Sequence, residues 1–190
     1  MESGDRAGGI RRAHVGNMAN KTRSEIVDIL TVLTEQHEQV DELFAQLESG
    51  KGDRTALFAE LADKLAAHAA SEEKVFYPAV MRKETSELLH ESVEEHLAIK
   101  RVLADMLELD PDSDKDEFDA KLSVVKEQVS HHAHEEEEDK LFPILRKAMS
   151  KVERADLASQ YLAMFETLVE EEPRRNVPGE TTEAAPLPPG

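Results

Sequence analysis

Apolar residues recur three and four apart through five long stretches of this chain, a rhythm that amphipathic helices satisfy and strands do not. The first stretch runs Ile26, Leu30, Leu33, His37, Val40, Phe44, Leu47 and stops at "SGKGD". The second runs Phe58, Leu61, Leu65, His68, Glu72, Val75. The third runs Leu89, Val93, His96, Ile99, Leu103, Met106 and ends at "DPDSDKD". The fourth holds Phe118, Leu122, Val125, Val129 and His132, and a fifth, over 151–171, holds Val152, Leu157, Tyr161, Met164, Phe165 and Leu168. No stretch alternates with period two. Long helices joined by short polar connectors pack as antiparallel neighbours. The expected fold is therefore all-α: an up-and-down antiparallel four-helix bundle with an additional C-terminal helix. With aromatics at 4% and no Trp, the core must come from Leu, Val, Ala, Ile and Met.

Residues 1–23 are Gly, Arg and polar without a period and read as a flexible lead-in, with His14 in it. The bundle is expected over 24–172. From Pro173 the chain reads "PRRNVPGETTEAAPLPPG", expected to be a disordered Pro/Gly-rich tail. A net charge of -18 disfavours nucleic acid and anionic membrane as partners, because both would repel it. The absence of cysteine removes disulfides, thiolate zinc sites, iron–sulfur clusters and thiol nucleophiles. The start of the chain lacks an apolar signal region and no later run is long enough to span a bilayer, so a soluble cytoplasmic protein is expected.

Polar residues interrupt the apolar seams in a pattern. His37, His68, His96 and His132 each lie in the seam of a different helix, and Glu72 joins them. Any one seam histidine reads as a core residue with a hydrogen-bonded neighbour. Four imidazoles and a carboxylate buried together would cost about 1–3 kcal/mol for each group left unsatisfied. A cation at the bundle centre would satisfy them all. The script also repeats. "HAASEEKVFYP" and "HHAHEEEEDKLFP" each give His, then Glu about one turn later, then bulky apolar residues and Pro. Four imidazoles with two carboxylates suit two first-row ions, iron foremost, with a carboxylate between them.

His37, His68-x-x-x-Glu72, His96 and His132 with its glutamates, together with the "FYP" and "LFP" endings, resemble the hemerythrin HHE-type cation-binding family over about residues 24–150. The resemblance implies a non-haem centre of two iron ions inside a four-helix bundle, bridged by carboxylate and by an oxo or hydroxo group. It implies O2 binding, with other members linked to NO, peroxide (H2O2) or iron handling. The chain departs from the pattern in two places. Five-histidine members carry His-x-x-x-His on the third helix, and Ser92 and Lys100 stand at the positions one turn either side of His96. His90 points off that seam. The fourth helix is also one residue longer: His68 precedes Pro78 by ten residues and His132 precedes Pro143 by eleven. Counted from His132, the next carboxylate is Glu136; counted back from the proline, it is Glu137. A downstream seam of Leu141, Ile144 and Ala148 fits Glu137, and a π-bulge absorbs one extra residue. Glu135 and Glu138 are expected on a solvated face, and Glu73 is expected to be exposed. Pro78 and Pro143 should bend their helices, with Phe76, Tyr77, Leu141 and Phe142 as packing.

Two functions follow from the resemblance. One is binding of O2 or a related small ligand such as NO or peroxide, for storage, sensing or detoxification. The other is a diiron enzyme acting on peroxide, NO or ferrous iron. A ferritin-like carboxylate site is disfavoured, because Glu-x-x-His occurs at Glu87/His90 and at none of the seam histidines.

Overall fold

The computed structural model describes residues 27–189, so the lead-in expected over 1–23 lies outside the described residues. Helices α1 (Ile29–Glu48), α2 (Arg54–Ser71), α3 (Tyr77–Val80), α4 (Ser86–Leu107), α5 (Lys115–Ser130), α6 (Phe142–Ala148) and α7 (Lys151–Glu170) follow in order. Asp28 and Asp53 cap α1 and α2, accepting from the backbone N–H of Leu30 and Ala56 at 3.1 and 3.0 Å. Ser150 and Glu153 form a capping box that starts α7. Gly50 and Gly52, at φ 63° and 95°, make the turn after α1 in a backbone region that disfavours larger residues.

The core divides into two halves. One joins Val40–Leu47 of α1, Phe58–Ala66 of α2, Ile99–Met106 of α4 and Phe118–Val129 of α5. The other joins Ile29–Leu33, Phe76–Val80, Leu89 and Val93, and Leu141–Leu145, with Leu157 and Tyr161 of α7. Late residues of α1 and α4 thus meet early residues of α2 and α5, and the reverse holds in the other half. That is up-and-down antiparallel packing, with α7 as the additional helix. The seam histidines of the four helices fall between the halves. Arg154 ties α7 to the start of α1 through Asp28, Nε to Oδ2 at 2.8 Å. Val152, expected in the seam of α7, is 63% exposed, because Arg154 and Leu157 carry the packing face there.

Two π-helical segments interrupt the bundle, Glu72–Phe76 between α2 and α3 and His131–Leu141 between α5 and α6. Each ends where a proline removes a backbone donor: Tyr77 N–H bonds Glu72 O, and Phe142 N–H bonds Glu137 O, both five residues back. The wider turn shifts everything after it. Phe76 and Tyr77 go inward while Val75 is only half-buried, and Leu141, Phe142 and Leu145 are buried while Ala148 is exposed. The seam expected through Val75 and through Ile144 and Ala148 is corrected by that one-residue change of register.

The Pro/Gly-rich segment is not the disordered tail that its composition suggests. Glu172 turns the chain at φ 53°, and a 3₁₀ helix, Pro173–Glu180, follows against α2 and α4. Val177 enters the first core half, 1% exposed, and Arg174 pairs with Asp63. Ala184, Ala185 and Leu187 reach the second core half. Long-range partners fix a segment that has no helical period of its own.

Candidate metal centre

His37, His68, Glu72, His96, His132 and Glu137 are all buried, and they meet at the level between the two core halves. Their donor atoms form two groups, each within 4.8 Å throughout: His37, His68, Glu72 and Glu137, and then Glu72, His96 and His132. Glu72 belongs to both. Its Oε2 lies 3.1 Å from His68 Nε2 and 3.3 Å from His96 Nε2. His37 Nε2 lies 3.4 Å from Glu137 Oε2, and the Nε2 atoms of His96 and His132 are 3.0 Å apart.

All four imidazoles face the centre with Nε2 and bond outward through Nδ1. His37 Nδ1 meets Glu138 at 2.7 Å, His68 Nδ1 meets the Gln36 amide oxygen at 2.8 Å, His96 Nδ1 meets Glu73 at 3.0 Å, and His132 Nδ1 meets Glu95 at 2.7 Å. An Nδ1–H donated to an oxygen acceptor leaves the Nε2 lone pair aimed inward, the arrangement that metal-ligating histidines use. Tyr161 from α7 donates to the same Gln36 oxygen at 2.8 Å. The expectations for Glu138 and Glu73 are corrected here. Neither is a solvated bystander, because each is held by an imidazole, and Glu73 is also held by Lys100.

The π-helical register separates the two fourth-helix glutamates, both of them buried. Glu137 is fully buried in the group, whereas Glu136 turns to Lys140 and to His131 Nε2 at 3.5 Å. His131 and His134 stay outside, the latter bonded to Asp41 at 3.0 Å. Ser92 bonds back to Leu88 O at 2.9 Å and Lys100 points to Glu73, so neither supplies a donor to the centre. The Tyr77 hydroxyl does reach it. It donates to Glu137 Oε1 at 3.1 Å and lies 3.4 Å from Glu72 Oε2, His96 Nε2 and His132 Nε2. The expectation of Tyr77 as packing is thus corrected; its sequence signal is an O–H in "FYP" where the repeat has Leu-Phe-Pro.

Three of these atoms have no hydrogen-bond partner: His37 Nε2, Glu72 Oε1 and Glu137 Oε2. Buried polar atoms are rarely left so, and all three belong to residues of the first donor group. Burial works to lower the pKa of His37, but the nearby carboxylates of Glu137 and Glu138 outweigh it and push the value up to about 10. His96, against the same burial penalty, is pushed up to about 9 by Glu72 and Glu73. Burial resists ionisation of Glu72, yet His68 and His96 hold its carboxyl well below the usual range. Burial raises the Tyr77 phenol well above its ordinary value, and the Glu137 and Glu72 charges add to it. Without an ion, the centre balances its carboxylates with imidazole protons. A cation bound at Nε2 replaces those protons and satisfies the orphaned oxygens, so the donor set fits a metal.

The model of the hemerythrin HHE cation binding domain matches residues 28–145. The chain belongs to that family. Among solved structures it is similar to the crystal structure of a hemerythrin HHE cation binding domain-containing protein, the Rv2633c homologue from Mycobacterium kansasii. The two are 23% identical with a TM-score of 0.65, over 76% of this chain and 89% of that one, a likeness of fold. Comparison with curated proteins gives no match. The family binds cations, and in this hemerythrin-like domain the buried His/Glu groups could hold them. Among the described residues no helix is long and apolar enough to cross a membrane.

Proposed function

We propose that this hemerythrin-like domain holds two iron ions and binds O2 or a related small ligand, NO or peroxide, for storage, sensing or detoxification. The observation that carries the reading is the sharing of Glu72 between two donor groups, with its Oε1 left without a partner. His37, His68 and Glu137 would hold one ion, His96 and His132 the other, and Glu72 would bridge them. The ions would supply redox electrons and a position for the ligand. The group around His96 and His132 has fewer protein donors, which favours it as the open side. The Tyr77 hydroxyl, whose proton goes to Glu137, also lies 3.4 Å from His96 Nε2 and His132 Nε2 on that side.

A cavity of about 40 Å³ lies on the other face of the imidazoles, walled by Val40, Leu65, Ala66, Ile99, Leu103 and Val129 among others. On this measure one water needs about 10–15 Å³, so the space has room for a diatomic ligand. Its apolar walls favour neutral O2 or NO over ions. A cysteine-free chain of net charge -18 fits a cytoplasmic setting away from anionic surfaces. The second reading is an enzyme acting on peroxide, NO or ferrous iron. It is favoured by Ser92 and Lys100, which leave the His96 side without a further ligand. Iron counted per chain, with absorption spectra of the oxidised, reduced and O2-exposed protein, tests both. Two irons and an oxygenated band that reverses under vacuum support binding; rapid conversion to the oxidised form supports the enzyme. One zinc and no iron in cells supplied with iron would overturn both.

A further inference from the structure

Lys100 lines the buried cavity and also lines a groove of about 470 Å³ on the outside of the bundle, between α2, α4 and the C-terminal segment. Its ammonium does not face the cavity. Nζ is held by Glu73 at 2.9 and 3.0 Å and by Glu180 at 3.1 Å, so the methylene stem forms the cavity wall. Glu180 comes from the C-terminal segment, which crosses this face from one core half to the other. Arg101 of α4 fastens the segment on the far side of Lys100, donating from Nε to Thr181 O at 3.0 Å. Of the four α2 residues that line the cavity, Leu65, Ala66, His68 and Ala69, two are alanines. Lys100 is the residue common to both linings, and the last part of the chain holds its ammonium.

We propose that small neutral ligands reach the centre through the α2–α4 face, past Lys100, and that the C-terminal segment sets how easily they pass by clamping that residue through Glu180. The inference rests on the diiron reading for its ligand but on the chain's own contacts for its route. Lys100 becomes a positioning residue: its stem closes the passage, and its ammonium links the tail to Glu73.

The test uses the full-length iron-loaded protein, reduced, with nitric oxide as probe in stopped-flow mixing. Lys100→Ala should speed association about tenfold, a barrier lower by about 1.4 kcal/mol. Glu180→Gln should give a smaller acceleration, and in the metal-free protein it should speed amide hydrogen exchange over residues 181–187. Equal association rates in the parent and both loaded variants overturn the route; if Lys100→Ala does not fold, Glu180→Gln decides alone. Unchanged exchange at 181–187 in Glu180→Gln overturns the clamp. A parent protein that takes up no iron would fail the diiron reading instead, and the exchange measurement would still decide the clamp.

Discussion

The centre without metal should be labile to base, and metal should cure it. His37 and His96 have folded-state pKa values raised to about 10 and about 9, against 6.5 unfolded. A raised pKa contributes stability that is fully present below pH 6.5 and is lost as pH climbs through the folded value. Taken alone, the shift is worth about 5 kcal/mol for His37 and about 3 kcal/mol for His96, at 1.36 kcal/mol per pH unit. The two do not simply add, because Glu72 acts on both imidazoles. A loss of about 3–5 kcal/mol between pH 6.5 and 9.5 is expected for the metal-free protein, or about 10 °C in Tm at this chain length. Tyr77 and Tyr161, whose phenols burial pushes upward, titrate above that window. Thermal melts at half-unit pH steps check this, run in parallel on metal-free and metal-loaded protein. The loaded form should stay level in comparison, since an ion on Nε2 leaves nothing there to deprotonate. Surface groups act equally in both forms, so the difference between the curves isolates the centre. A metal-free Tm that is flat or rising over the window, or loaded and metal-free curves that fall together, would refute the reasoning.

Glu137→Ala should lose metal and disturb the absorption spectrum, while Glu136→Ala, which removes only partners of Lys140 and His131, should leave both nearly intact; the reverse result would show the register to be wrong. His68→Ala and His132→Ala should each deplete metal, measured by elemental analysis, whereas retained metal in both would make them plain core residues. Glu138→Ala, by freeing His37 Nδ1, should weaken metal affinity by about 10–100-fold in chelator competition without removing any inward donor. Reduced protein mixed with O2 should oxidise quickly because Ser92 and Lys100 supply no further ligand, and a long-lived oxygenated form over many vacuum cycles would favour the carrier.

The bundle was legible because its seams are written at helical spacing over long stretches. The four seam histidines and Glu72 were legible for the same reason, since they replace apolar residues in the seams, whereas the seam left Glu136 and Glu137 both open. The histidines' outward partners were not legible. Gln36, Glu73, Glu95 and Glu138 sit one residue off the seam or on a neighbouring helix, and among the many polar residues of this chain nothing local marks the four that meet an Nδ1. Tyr77 was hidden because a phenol in a bulky apolar pair reads as packing until its hydroxyl is placed. The C-terminal segment misled by composition. Its order comes from Asp63, Lys100 and Arg101, far away in sequence, and from one buried valine, Val177, which local pattern cannot weigh.

The two π-helical segments differ in length, five residues before Pro78 and eleven before Pro143. A regular α-helix cannot lose a residue quietly, because deletion rotates everything beyond it by about 100°. Here the two ends are pinned separately, by His132 inward on one side and by Leu141, Phe142 and Leu145 on the other, and the wide turn between them takes up the surplus. Removing the exposed Glu135 would shorten the span from His132 to Pro143 to that of His68 to Pro78. Such a chain should still fold and still present a carboxylate six residues before its proline. Chain length is thus a tolerant variable in the very stretch where side-chain identity is least so: insertions and deletions there can be absorbed as turns of different width.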